Sequence, residues 1–176
     1  MTSDEQLMAQ VAAGDTDAFE EIVRRHQNHA LNVAYHFLGN RDQAADVAQE
    51  AFLRVLAAAA RYRPLATFRT YLHRIVWHLC VDVQRKKRPR TLESLPPAED
   101  PTGGPEQAAI ARERSALVRR AVRQLPARQR MALVLKHYEN LSYQEIGRTL
   151  GCSSRAVDAL LIRAKRKLKE LLEGLI

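Results

Sequence analysis

The residues of this chain best placed to do chemistry lie between 154 and 169, and the chemistry is recognition. Ser154, Arg155, Asp158, Ala159 and Ile162 fall on one side of a helical repeat. Arg163, Lys165, Arg166, Lys167 and Lys169 follow. A helix in the major groove meets base edges near its N-terminal end and phosphates further along. The Arg155 guanidinium matches the paired acceptors of guanine, and the Asp158 carboxylate can accept from a cytosine amine. The same charges would also suit a solvated helix face, so their meaning rests on what precedes them. Residues 141–152, LSYQEIGRTLGC, read as a helix and a tight turn at Leu150-Gly151-Cys152. Apolar residues at Ile146, Leu150, Val157, Leu160 and Leu161 join the two helices, and the small Gly147 sits where they would cross closely. This is the pattern of a helix-turn-helix. Val157, Leu160, Leu161, Ala164, Leu168 and Leu171 form the buried stripe of the second helix, which Ser153 or Ser154 caps.

Two other groups could bind a partner. Asp42, Asp46 and Glu50 repeat at i, i+4 and i+8, with Gln49 beside them. Like charges at this spacing weaken an isolated helix by a few tenths of a kcal/mol per pair. The face suits either solubility or docking on a basic protein surface. Residues 68–90, FRTYLHRIVWHLCVDVQRKKRPR, combine Arg69, Arg74, Arg85, Lys86, Lys87, Arg88 and Arg90 with Phe68, Tyr71 and Trp77. Cations that hold phosphates beside rings that stack on bases suit single-stranded or opened DNA. Phe68, Leu72, Ile75, Val76, Leu79 and Val83 read as core. Tyr71 and Trp77 fit either role.

Nearly every stretch that positions these residues has helical period, and no strand pattern is present. A helix capped by Ser3 and Gln6 runs to about Ala13. Others are expected over about 17–38, 42–60 and 68–88, then from Pro105, over 127–138, and through the helix-turn-helix. Residues 89–105, PRTLESLPPAEDPTGGP, hold five of the chain's seven prolines and read as a linker. The expected fold is all-α: two small helical domains, 1–88 and 106–176, joined by a flexible Pro/Gly-rich linker at 89–105, with the helix-turn-helix in the second.

Composition narrows the partner. The 176 residues carry a net charge of +8 and are 46% hydrophobic, enough for real cores and suited to an anionic partner. Residues 61–90 have 9 Lys/Arg against 1 Asp/Glu, and residues 112–176 have 15 against 6. Between them, residues 91–111 have 4 acids and no base. Two basic blocks imply two nucleic-acid contacts. Cys80 and Cys152 read as reduced core residues and form no metal site. The polar start is unlike a signal peptide and no apolar run is long enough to span a membrane, so a cytoplasmic location is expected. His, Cys and the carboxylates form no recognisable catalytic set, so no catalytic residue, metal or cofactor is assigned.

Taken together, these segments resemble a family, the extracytoplasmic-function sigma factors of bacterial RNA polymerase. Residues 42–56, DQAADVAQEAFLRVL, resemble its core-binding helix. Residues 68–88 resemble its promoter-melting and minus-10 helix, and residues 125–172 its minus-35 domain. The resemblance implies core RNA polymerase as a partner through Asp46, Gln49 and Glu50. It implies melted minus-10 DNA at Tyr71, Arg74, Trp77, His78, Arg85 and Lys86. It implies duplex minus-35 DNA at Ser154, Arg155, Asp158, Ala159, Ile162, Arg163, Lys165 and Arg166. It implies a factor that directs promoter-specific initiation, catalyses nothing itself and works at the bacterial nucleoid. It also admits an anti-sigma factor, common in the family. The chain departs from the family at His78, where Asn is frequent, and at Asp158 and Ala159, where a basic residue and Ser are frequent. The competing reading is a stand-alone helix-turn-helix regulator with a helical sensor or dimerisation domain. An RNA-binding or nuclear protein would draw on QRKKRPR but leaves the helix-turn-helix unexplained.

Overall fold

The computed structural model describes residues 1–86 and 104–174. Most of the expected linker, 89–105, lies outside them. Among the described residues there are eight α-helices, a short 3₁₀ turn and no strand. α1 (Asp4–Ala12) opens with a capping box in which Gln6 N–H donates to Ser3 Oγ and Ser3 N–H donates to Gln6 Oε1. α2 (Thr16–Leu38) is capped by the Asp15 carboxylate, which accepts from the backbone of Asp17 and Ala18. It stops at Gly39, whose φ of 71° is open to glycine at little strain.

The third helix differs from expectation at both ends. α3 (Arg41–Ala57) begins one residue before Asp42, because the Asn40 side chain accepts from Gln43 N–H and sets the start. It ends before Ala60, where the chain tightens into the 3₁₀ turn Ala59–Arg61. α4 (Phe68–Lys86), α5 (Pro105–Arg123) and α6 (Ala127–Tyr138) follow. α7 (Tyr143–Leu150) and α8 (Ser154–Glu173) form the helix-turn-helix. Proline suits the first turn of α5, where its missing N–H would have no partner in any case.

α2 packs along α3, α1 and α4, which builds the first half. α8 packs on α6, α7 and α5, which builds the second. The first half buries Ile22, Val33, Phe37, Val55, Phe68, Leu72 and Val76; the second buries Leu125, Met131, Leu135, Ile146, Val157 and Leu161. Each large aliphatic or aromatic side chain so buried contributes roughly 1.5–3 kcal/mol relative to exposure. Ile75 and Val83, read as core, are half-buried. So is Cys152, which lies in the turn beside the core, whereas the free Cys80 is fully buried. The halves are also packed on each other: α4 lies against α7, and α2 against α6 and α5. One apolar cluster runs through both.

Candidate nucleic-acid interface

α8 presents its polar side to solvent. The Ser153 hydroxyl accepts from Ala156 N–H at 3.1 Å, so Ser153 is the cap and Ser154 is left in the first turn. Ser154, Arg155, Asp158, Arg163, Lys165 and Arg166 are exposed, and Ala159 is half-buried. Ile162 is 50% exposed, an apolar side chain among charges. Val157, Leu161 and Ala164 face inward and fix the rotation of the helix; Leu160, Leu168 and Leu171 are half-buried.

The turn is held tightly. Gly151 takes φ 70°, and Cys152 N–H donates to Gly147 O at 2.9 Å. A Cβ on Gly147 would stand 2.5 Å from the Cys152 carbonyl oxygen. Gly147 therefore makes room for the backbone of the turn, where the sequence had suggested the second helix. Arg128 of α6 donates to Leu150 O and ties the turn to its neighbour.

On α4, Arg74, His78 and Arg85 are exposed at spacings that keep them on one stripe, with Lys86 after them. Tyr71 is half-buried in an aromatic group with Tyr62 and Phe68, at ring distances of 5.0 and 5.9 Å. Burial raises its phenol pKa. Trp77 is 6% exposed and meets Phe37 edge-on at 5.8 Å. In this arrangement it is core, with no free face for a base.

On α3, Asp46, Gln49 and Glu50 are all exposed, and Glu50 pairs with Arg54 at 3.3 Å. Beside them runs an apolar groove lined by Phe19, Val23, Leu31, Ala48, Phe52 and Leu53, with Gln49 on its rim. Leu31 and Leu53 are exposed. Leu53, three positions after Glu50 on α3, is an exposed apolar residue that the acidic repeat does not signal.

Sequence reading also missed the seam between the halves. Glu139, at the end of α6, is 4% exposed. Its Oε2 accepts from Arg69 Nε at 3.2 Å and from Arg69 Nη2, lies 2.8 Å from His29 Nδ1, and stands 3.3 Å from His73 Nε2. Arg69 Nη2 also donates to the Glu139 carbonyl. Burial alone would raise the Glu139 carboxyl; the neighbouring His73 and Arg69 outweigh it and bring the pKa to about 2. The buried Arg130 donates to Phe37 O across the seam and to Arg123 O and Leu125 O within its own half. Its guanidinium lies 4.7 Å from the centre of the Phe37 ring, and burial lowers its pKa to about 10. His36 stacks on Tyr138 at 3.6 Å. Glu139 and His29 are 110 residues apart and Glu139 and Arg69 are 70 apart, so no local pattern signals them.

A helix-turn-helix with an exposed polar face, a basic stripe and an acidic face beside an apolar groove are thus carried on one helical chain. Among the described residues, no three His, Cys, Asp or Glu are grouped to hold a metal, and no helix is long and apolar enough to cross a membrane. Residues 22–90 match the family profile of Sigma-70 region 2, and residues 115–168 that of Sigma-70, region 4. The RNA polymerase sigma-H factor of Pseudomonas aeruginosa is 32% identical over 98% of this chain and 95% of its own length. The ECF RNA polymerase sigma factor SigW of Bacillus subtilis is 32% identical over 94% of this chain and 95% of its own. The chain belongs to the extracytoplasmic-function sigma factors. SigE of Mycolicibacterium smegmatis is 37% identical over 92% of this sigma factor, which spans 65% of SigE. The solved structure of CnrH in complex with the cytosolic domain of CnrY superposes at a TM-score of 0.74 and 27% identity, covering 98% of this chain and 99% of that one. RpoE of Bartonella quintana, solved with the anti-sigma factor NepR, shares the fold at a TM-score of 0.69 and 19% identity, over 88% of this chain and 96% of that one.

Proposed function

We propose that this sigma factor directs initiation through three surfaces. The first domain, residues 1–88, docks on core RNA polymerase through Asp46, Gln49 and Glu50 and the apolar groove beside them. It engages melted minus-10 DNA through α4, with Arg74, His78, Arg85 and Lys86 on the phosphates and the half-buried Tyr71 beside the bases, while Trp77, packed on Phe37, supports the helix from the core. The second domain, residues 106–176, reads minus-35 duplex. Ser154, Arg155, Asp158, Ala159 and Ile162 meet base edges, and Arg163, Lys165 and Arg166 meet phosphate. Residues 89–105 are the linker. The polymerase does the chemistry and the sigma factor chooses where, at the nucleoid of the cytoplasm.

The observation that carries this reading is the pairing of an exposed reader face on α8 with an exposed acidic face on α3. A stand-alone regulator has use for the first and none for the second. An anti-sigma factor is a further proposed partner, supported by the company in which CnrH and RpoE were solved.

Co-purification with core polymerase tests the docking face. Asp46→Arg with Glu50→Arg is expected to abolish it while leaving the helical fold intact by circular dichroism. An undiminished pull-down would remove the assignment. Gel shifts with and without core polymerase separate the two readings, since tight, specific duplex binding by the protein alone would favour the stand-alone regulator.

A further inference from the structure

Promoter elements named for positions minus-10 and minus-35 are about 25 base pairs apart, or about 85 Å along B-form DNA. α2, the longest helix at 23 residues, spans about 35 Å. A compact chain of 176 residues has a radius of gyration of about 16 Å, and with α4 lying against α7 and α2 against α6, one closed copy is too small to reach both elements. The seam must part before the promoter is engaged, and its polar centre is chemically suggestive. Arg69 is in the first turn of the helix assigned to DNA, on the side of α4 away from Arg74, His78 and Arg85, so a strand crossing the N-terminal end of the helix is what would meet it. It meets one carboxylate oxygen with two N–H groups and the adjacent carbonyl with one of them. Anionic oxygen met by a guanidinium fork is also how arginine holds phosphate. Asn140, at φ 53°, turns the chain directly after Glu139, a conformation Asn tolerates better than most residues.

We infer that Glu139 stands in for a DNA phosphate: it occupies Arg69 in the closed chain, and a backbone phosphate of the opened strand takes its place when the halves part. This rests on the assignment of α4 to DNA. His29 and His73 serve as supports that hold the carboxylate on Arg69 from two sides. Exchange of one anionic partner for another leaves the half-buried Arg69 charge satisfied in both states, so closing competes with DNA for the same guanidinium.

The test is a salt titration of a fluorescent single-stranded 20-mer binding to the full chain. Glu139→Gln frees Arg69, so binding should tighten several-fold. The slope of log affinity against log salt should steepen by about 0.7, one added phosphate contact to a single strand. Adding Arg69→Gln to that variant should return both to the wild-type values. Glu139→Asp, which keeps the charge on a shorter arm, should fall between and carries the test if Glu139→Gln does not fold. Unchanged affinity and slope in the Glu139 variants would overturn the inference. So would a gain that persists without Arg69. Run-off transcription with core polymerase is measured in parallel on the wild type. Initiation there with no Glu139 effect would remove the phosphate stand-in and leave the sigma assignment standing, whereas loss of initiation would strike the assignment itself.

Discussion

At the scale of single residues, the reading helix makes the sharpest claims. Arg155 stands exposed in the first turn of α8, where a bidentate contact to guanine contributes about 1–3 kcal/mol of discrimination. Arg155→Ala should therefore weaken run-off transcription from promoters with an intact minus-35 element and spare those in which it is scrambled. An equal loss on both would make Arg155 a phosphate contact. Gly147→Ala would push a methyl against the Cys152 carbonyl. Overpacking of this kind costs about 1–3 kcal/mol, which a fall in melting temperature would report. The exposed side of α8 was legible because 3.6-residue periodicity assigns sides to a helix. Trp77 was not, since its position on α4 is compatible with either side until Phe37 is seen against it. Glu139 was invisible for a deeper reason: an acid at the end of a helix looks solvated unless its distant partners are known.

Caps and spacing govern the elements, and most were readable. Ser3 with Gln6, Gly39, Pro105 and Gly151 all mark helix ends as their chemistry suggests. α3 escaped because Asn40 outcompetes Asp42 for the start, and two residues with cap chemistry so close together cannot be ranked from type alone. The cap on α8 matters to function as well as stability. Ser153→Ala removes the acceptor for Ala156 N–H and should cost about 1 kcal/mol. Because that turn also carries Ser154 and Arg155, the same variant should lower minus-35-dependent initiation at temperatures well below its unfolding. Full activity at all temperatures up to melting would show that the first turn of α8 keeps its shape without the cap.

For the whole molecule, the fold class and the division into two helical halves were legible, but their packing on each other was not. Amphipathic stripes say which side of a helix is covered and not by what. Titration should expose the part of this packing that buries His36 and His73, together with the burial of His26 inside the first half. Burial lowers the pKa of His26, His36 and His73 from 6.5, so their neutral forms favour the fold. That contribution is complete above 6.5 and is lost as pH falls below it. Glu139, held at about 2 against an ordinary 4.5, keeps its contribution above 4.5 and loses it on the way to 2. The melting temperature should thus decline in two stages on acidification. A flat profile from about pH 7 to 5.5 would mean that the three histidines are solvated in the working protein. Arg130 bears on how the halves can separate. Two of its three carbonyl partners belong to its own half, and Phe37 O, at the end of α2, can turn to water when the third is lost. No helix has to unravel and no cap has to break. The proposed parting is then a movement of whole helices, of the hinge class, and what it costs is the apolar surface that the shared cluster uncovers.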